Sequence, residues 1–123
     1  MTETGFRLER IGLVMLGVTD LARSVEFYEN RLGLKLQNRI PGFAFFDGGA
    51  VTFCISEALA KAGGEIAGAT EVVFSVEHVR AACEALRSAG VTFLNEPRVV
   101  TGTSWAANFV DPDGHRLSIF GAE

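Results

Sequence analysis

The chain lacks any apolar run of membrane-spanning length. Its longest, Ile11 to Val18, is about eight residues, against roughly 18 or more for a helix that crosses a bilayer. Basic residues are too few and too scattered for a nucleic-acid surface: 11 Lys and Arg face 15 Asp and Glu, a net charge of −4. Cysteine is scarce. Cys54 and Cys83 allow at most one bridge, and no CxxC or Cys/His grouping has zinc spacing. A chain of this size needs no covalent staple, so two free thiols are expected. Three prolines and 14 glycines are too few for a collagen-like or disordered chain. The N-terminal Met1-Thr2-Glu3-Thr4 is acidic where a secretory leader is basic, which points to a soluble cytoplasmic protein. No Ser/His/Asp grouping is visible. The glycines at 63, 64 and 68 lack the Lys-Ser/Thr ending of a phosphate loop.

What is present is an ordinary globular composition, 48% apolar and 21% charged, in 123 residues. That is the size of one domain, and we read 1–123 as one. The chain contains an internal echo. Residues 14–18 read as a strand, and Leu21 to Leu32 reads as a helix because Leu21, Val25, Tyr28 and Leu32 recur at helical spacing. Asp20 or Thr19 can cap it and Gly33 can stop it. In the second half, residues 72–76 read as a strand and His78 to Ala89 as a helix stopped by Gly90, with Arg80 and Glu84 one turn apart. Three short strand-like runs follow each helix, at about 34–40, 42–47 and 50–56, then 91–95, 104–110 and 114–120. Turn residues such as Pro41-Gly42 and Asp111-Pro112-Asp113-Gly114 separate them. The expected fold class is α+β. Two βαβββ modules, about 8–57 and 70–121, are joined by 57–70 and form an eight-stranded cup with helices on its outer face.

Alternation along the strands assigns two faces. Val14, Leu16, Phe53, Ile55, Val72, Phe74, Leu117 and Ile119 share the face that must meet the helices. Leu13, Met15, Thr52, Cys54, Glu71, Val73, Arg116, Ser118 and Phe120 share the other. That second face mixes apolar walls with a few polar groups, which suits a small-molecule cup. Phe43 and Phe45 share a face and can wall the cup or fill the core. Trp105 and Asn108 lie on the penultimate strand; the Trp105 ring can stack on a planar ligand or pack at an interface.

The run Ile11-Gly12-Leu13-Val14-Met15-Leu16-Gly17-Val18-Thr19-Asp20-Leu21-Ala22-Arg23-Ser24, with Phe27-Tyr28 and Leu32-Gly33-Leu34, resembles the opening of the vicinal oxygen chelate superfamily. That group includes glyoxalase I, bleomycin-resistance proteins, fosfomycin-resistance enzymes and extradiol dioxygenases. The end, Phe109-Val110-Asp111-Pro112-Asp113-Gly114-His115-Arg116-Leu117, resembles its closing hairpin. The resemblance covers about 8–121. It implies the paired-module fold, usually as a homodimer, sometimes with exchanged modules. In metal-dependent members it implies four ligands on the first and last strands of each module, typically His, Glu or Gln. Those positions here are Leu13, Cys54, Glu71 and Ser118, and only Glu71 matches.

No metal site or cofactor is therefore expected, and the reading leans away from an enzyme. Glu71 is the candidate acid/base if the cup is dry. Arg116 can grip an anionic ligand through its guanidinium fork or simply pair with Glu71. Cys54 is reactive only if positive charge lowers its pKa. His78 reads as a helix cap or surface residue, and His115 as support for the hairpin. The leading expectation is a homodimeric, metal-independent binder of a small molecule of unknown identity, without nucleic-acid or membrane partners. Its mild acidity would favour a cationic ligand at long range. The alternatives are a lyase, thiol transferase or dioxygenase-type enzyme with an atypical metal site using Glu71, and a non-catalytic interaction dimer.

Overall fold

A computed structural model describes residues 10–63 and 71–123. The first module runs β1 (Leu13–Gly17), α1 (Leu21–Val25), a π-helical segment (Glu26–Arg31), β2 (Leu36–Ile40), β3 (Phe43–Asp47) and β4 (Thr52–Ser56). The joint opens with a helix, α2 (Glu57–Gly63); its remainder, 64–70, lies outside the described residues. The second module runs β5 (Val72–His78), α3 (Val79–Ser88), β6 (Arg98–Thr101), β7 (Ser104–Val110) and β8 (Arg116–Ala122). Each module builds its own four-stranded mixed sheet, ordered β1-β4-β3-β2 and β5-β8-β7-β6. In each, the first and last strands are parallel and the hairpins antiparallel. The eight strands thus form two separate sheets rather than one closed barrel.

The helices begin and end for local reasons. The Asp20 side chain accepts from the Arg23 backbone N–H at 3.1 Å and so caps α1. Gly33 and Gly90 follow the two long helical stretches with φ of 80° and 91°, a region only glycine enters without strain. His78 occupies the cap position of α3, but its side chain makes no capping bond. The helix expected over Leu21 to Leu32 changes character half-way. Its second half closes wider turns, and the Leu32 N–H reaches back five residues to the Phe27 carbonyl. Phe27 and Tyr28, consecutive in sequence, are both buried there.

One apolar core serves both modules. Val18, Leu21, Val25, Phe27, Tyr28, Phe46, Phe53 and Ile55 pack in the same cluster as Val79, Cys83, Val91, Phe109, Leu117 and Ile119. Phe53 and Phe74 meet edge to face across the module boundary, centroids 6.3 Å apart.

A polar clasp supplements this core. Tyr28 Oη donates to Asp111 Oδ2 at 2.8 Å in the interior, while Asp111 Oδ1 accepts from the Asp113 and His115 backbone N–H groups. Asp113 reaches across to α1, accepting from Thr19 N, Thr19 Oγ1, Arg23 Nη2 and Ser24 Oγ. His115 Nε2 donates to the Gly17 carbonyl of β1. The acids of the Asp111-Pro112-Asp113-Gly114 turn therefore fasten one module to the other.

One expected strand is misplaced. Residues 91–95 form only a single bridge, Phe93 to Phe109. The Leu94 N–H still bonds the Asn108 carbonyl, but the Asn95 side chain then takes the Asn108 backbone N–H and ends the ladder. The true partner of β7 starts after Pro97, where Arg98 to Thr101 supply extended, largely β-branched backbone.

Candidate functional site

Strand register sorts the candidate residues into two halves. Residues directly opposite one another on paired strands share a face. On the first sheet Leu13 faces Thr52, Met15 faces Cys54, and Phe45 and Phe43 face Cys54 and Ser56. On the second sheet Val73 and Asn108 flank Ser118, Phe120 lies beside Ser75, and Arg116 lies beside Val110. Ala44 and Phe46 point the other way into the core, so Phe43 and Phe45 line the cup face. Their rings run parallel, 10° apart in plane, with centroids separated by 6.4 Å.

Trp105 does not belong to this face. It pairs with Gly121 and Val99 and shares its side of β7 with Ala107 and Phe109. There it packs on the core beneath Arg80 of α3, whose guanidinium carbon sits 4.5 Å from the ring centroid. Three residues separate it from Asn108, so strand parity puts the two on opposite faces. The same geometry gives Arg80 to Trp105 and to Glu123, at 2.9 Å, rather than to Glu84.

The joint contributes a wall that the sequence reading did not foresee. A Cβ placed on Gly17 would stand 2.8 Å from the backbone nitrogen of Ala60 in α2. Gly17 lies on the cup face of β1, so α2 covers that end of the first half. Ser56 caps α2, its Oγ accepting from the Leu59 N–H at 3.0 Å. Cys54 is fully buried, and burial pushes its thiol up from the ordinary range. It is not an activated nucleophile.

Glu71 is the centre of the second half. Its Oε2 accepts from Asn108 Nδ2 at 2.7 Å and from Arg116 Nε at 2.8 Å, and its Oε1 accepts from Ser118 Oγ at 3.4 Å. Asn108 is locked in turn by Asn95, through Asn95 Nδ2 to Asn108 Oδ1 and Asn108 N to Asn95 Oδ1. Asn95 was not among the expected site residues. It follows an apolar run, and nothing local marks it as a partner of a residue 13 positions on. Three donors, one of them a guanidinium, thus converge on the two Glu71 carboxylate oxygens.

No hydrogen bond, ion pair or ring contact among the described residues joins the two halves. The modules instead touch through Phe53 and Phe74 and through the hairpin clasp. Both cup faces leave apolar side chains open: Leu13 is 42% exposed, Val73 52% and Phe120 37%. A cavity of about 500 Å³ lies elsewhere, between the start of α1 and the β2–β3 turn, lined by residues such as Asp20, Arg39 and Glu57. It is shallow and contains none of the candidate residues. Its Glu57 carboxylate is already engaged by the Leu21 N–H at 2.8 Å.

Comparison with known proteins places this geometry. Residues 10–119 match the family described as the glyoxalase/bleomycin resistance protein/dioxygenase superfamily. The chain belongs to that superfamily. It is 32% identical over 116 residues to a glutathione transferase, FosA, of Serratia marcescens, covering 91% of this chain and 80% of that one. A crystal structure of a glyoxalase/bleomycin resistance protein/dioxygenase from Nocardioides superposes with a TM-score of 0.78 at 27% identity, over 95% of this chain and 85% of the other. An antibiotic-binding protein from Streptomyces, TnmS3, superposes with a TM-score of 0.78 at 20% identity, over 96% and 99%, a likeness of fold alone. Membership of the superfamily does not by itself choose between catalysis and binding.

The residues at the superfamily's metal positions decide more. Leu13 offers no donor atom. Cys54 is buried with a raised thiol. Ser118 is a neutral hydroxyl already directed at Glu71, and Glu71 is occupied by its own donors. Catalytic zinc sites generally take three protein ligands of the Cys, His or carboxylate type. Among the described residues no group of three such side chains converges. These residues do not fit the metal of the metal-dependent superfamily members. Among the described residues no helix is long and apolar enough to cross a membrane.

Proposed function

We propose that the protein binds a small, largely apolar molecule without a metal, in a cup completed by a second copy of the chain. The observation that carries this reading is the occupation of the four family ligand positions by Leu13, Cys54, Glu71 and Ser118, with Glu71 already engaged by Arg116, Asn108 and Ser118. The exposed apolar side chains Leu13, Val73 and Phe120, with the half-buried Phe43 and Phe45, support a ligand with an apolar body. Two features support the dimer. Strands β1 and β5 are sheet edges with one side unpaired by described strands, and no hydrogen bond, ion pair or ring contact among the described residues joins the two cup halves. The two buried, unpaired thiols support a reducing, cytoplasmic setting.

The test is a thermal-shift screen of planar and apolar compounds on the purified protein, with and without chelator, together with elemental analysis and a measured solution mass. Ligand-induced stabilisation that survives chelation, in a dimer carrying no stoichiometric metal, is the expected result, because a ligand that binds only the native state raises its melting temperature. One tight divalent metal per chain overturns it. The similarity to a glutathione transferase favours a second reading, an enzyme acting on a thiol conjugate. Turnover of a thiol and an electrophile that disappears in Glu71→Gln would select that reading.

A further inference from the structure

The second half of the cup contains a polar network that an apolar sheet face does not need for stability. Asn108 and Ser118 are buried and Asn95 partly so, and each is spent on ordering one carboxylate, Glu71. Among the described residues no buried side-chain nitrogen or oxygen is left without a partner, so the network is closed at its inner end. At its outer end it is open. Glu71 holds Arg116 by Nε alone, at 2.8 Å, and the two Nη groups have no partner among the described residues. The Arg116 side chain is 51% exposed and that of Glu71 29%, and strand parity puts Arg116 on the same face of β8 as Ser118 and Phe120. Two neutral donors share the load on Glu71, so the arginine is not its sole source of solvation. The relay Asn95–Asn108–Glu71–Arg116 thus tethers, through Nε, a guanidinium whose two Nη groups remain available.

From this we propose that Arg116 is the anion-recognising residue of the cup, that Glu71 is its positioning residue, and that the ligand carries a carboxylate on an apolar body. A guanidinium fixed through Nε presents its Nη donors in the geometry that matches a planar oxyanion. Fixing it beforehand also lowers the entropy lost on binding. The net charge of −4 argues for a cation only at long range; at contact the nearest charge-bearing donors belong to Arg116. This inference rests on the cup reading above and adds the chemical class of the ligand.

The experiment titrates the full-length protein calorimetrically with 2-naphthoate and with 2-naphthamide, which share a ring and differ in charge. Wild type is expected to favour the carboxylate by roughly tenfold or more, the scale of a charge-assisted hydrogen bond. Arg116→Gln should erase that preference by weakening naphthoate binding, and Arg116→Lys should restore part of it. Glu71→Gln should reduce the preference several-fold with Arg116 intact, an effect on selectivity that a merely structural role would not produce. Unliganded melting curves identify any variant that fails to fold, and the Lys variant then carries the test. Equal affinity of wild type for both probes overturns the anion assignment and leaves the cup reading standing. Binding of neither probe overturns both.

Discussion

Tyr28→Phe removes one oxygen from the interior, and the structure states what that oxygen does. Its hydroxyl donates at 2.8 Å to Asp111 Oδ2, a carboxylate that is itself buried. The remaining partners of Asp111, the Asp113 and His115 N–H groups, both lie on Oδ1. The variant therefore leaves Oδ2 without its donor. A hydrogen bond to a charged group is worth about 1.5–3 kcal/mol, so a loss of about 2 kcal/mol is expected. At roughly 2.1 cal/mol/K of unfolding entropy per residue, that lowers the melting temperature of this chain by about 8 °C.

The same contact makes a pH prediction. Burial first, then the charges of Asp111 and Asp113 and the hydrogen bond to Asp111, push the Tyr28 hydroxyl far above its ordinary value of 10.0. The folded state keeps this proton where the unfolded chain gives it up. Stability from the contact is thus complete below pH 10 and is lost as pH rises above it. The gap between wild type and Tyr28→Phe should narrow by about 1.4 kcal/mol per pH unit there, closing between roughly pH 11 and 12. Urea melts at several pH values measure the gap. Tyr28 is the only tyrosine in the chain, so tyrosinate absorbance reports on it alone. Tyrosinate forming near pH 10 in the still-folded protein, or a loss under 0.5 kcal/mol on substitution, would refute the reasoning.

Three further outcomes are expected. Asp113→Ala releases Thr19, Arg23 and Ser24 and should cost about 1–2 kcal/mol in a urea melt, because it opens the clasp between modules. Gly17→Ala drives a methyl group against the α2 backbone at Ala60 and should cost about 1–3 kcal/mol; an unchanged midpoint would show that α2 does not rest on β1. Cys54 and Cys83 are buried and burial pushes both thiols up, so an aromatic disulfide reagent should leave them unmodified in the folded protein and label both on unfolding.

Much of the fold was legible because its signals are local. Helical spacing from Leu21 onward marked the helix, and Asp20 and Gly33 marked its ends. Alternation on β1, β4, β5 and β8 assigned the faces, and the register bears the assignment out. The same rule, counted from Trp105 to Asn108, would have moved Trp105 off the cup; that signal was present and misread. The strand at Arg98–Thr101 was harder, since residues 91–95 carry equal β propensity and only the Asn95 side chain, by capturing Asn108, stops them from pairing further.

The sequence by itself determined the repeated module, the faces of β1, β4, β5 and β8, and the lack of His, Glu or Gln at Leu13, Cys54 and Ser118. All three depend on residue identity and on spacings of two to four positions, which backbone geometry converts directly into direction. Only the tertiary structure decided what Glu71 does. Its partners lie 37, 45 and 47 residues away in Asn108, Arg116 and Ser118. A carboxylate reads the same in sequence whether it stands alone or is held by several donors. The difference is which long-range neighbours the folded core brings within hydrogen-bond reach, and no local pattern encodes that.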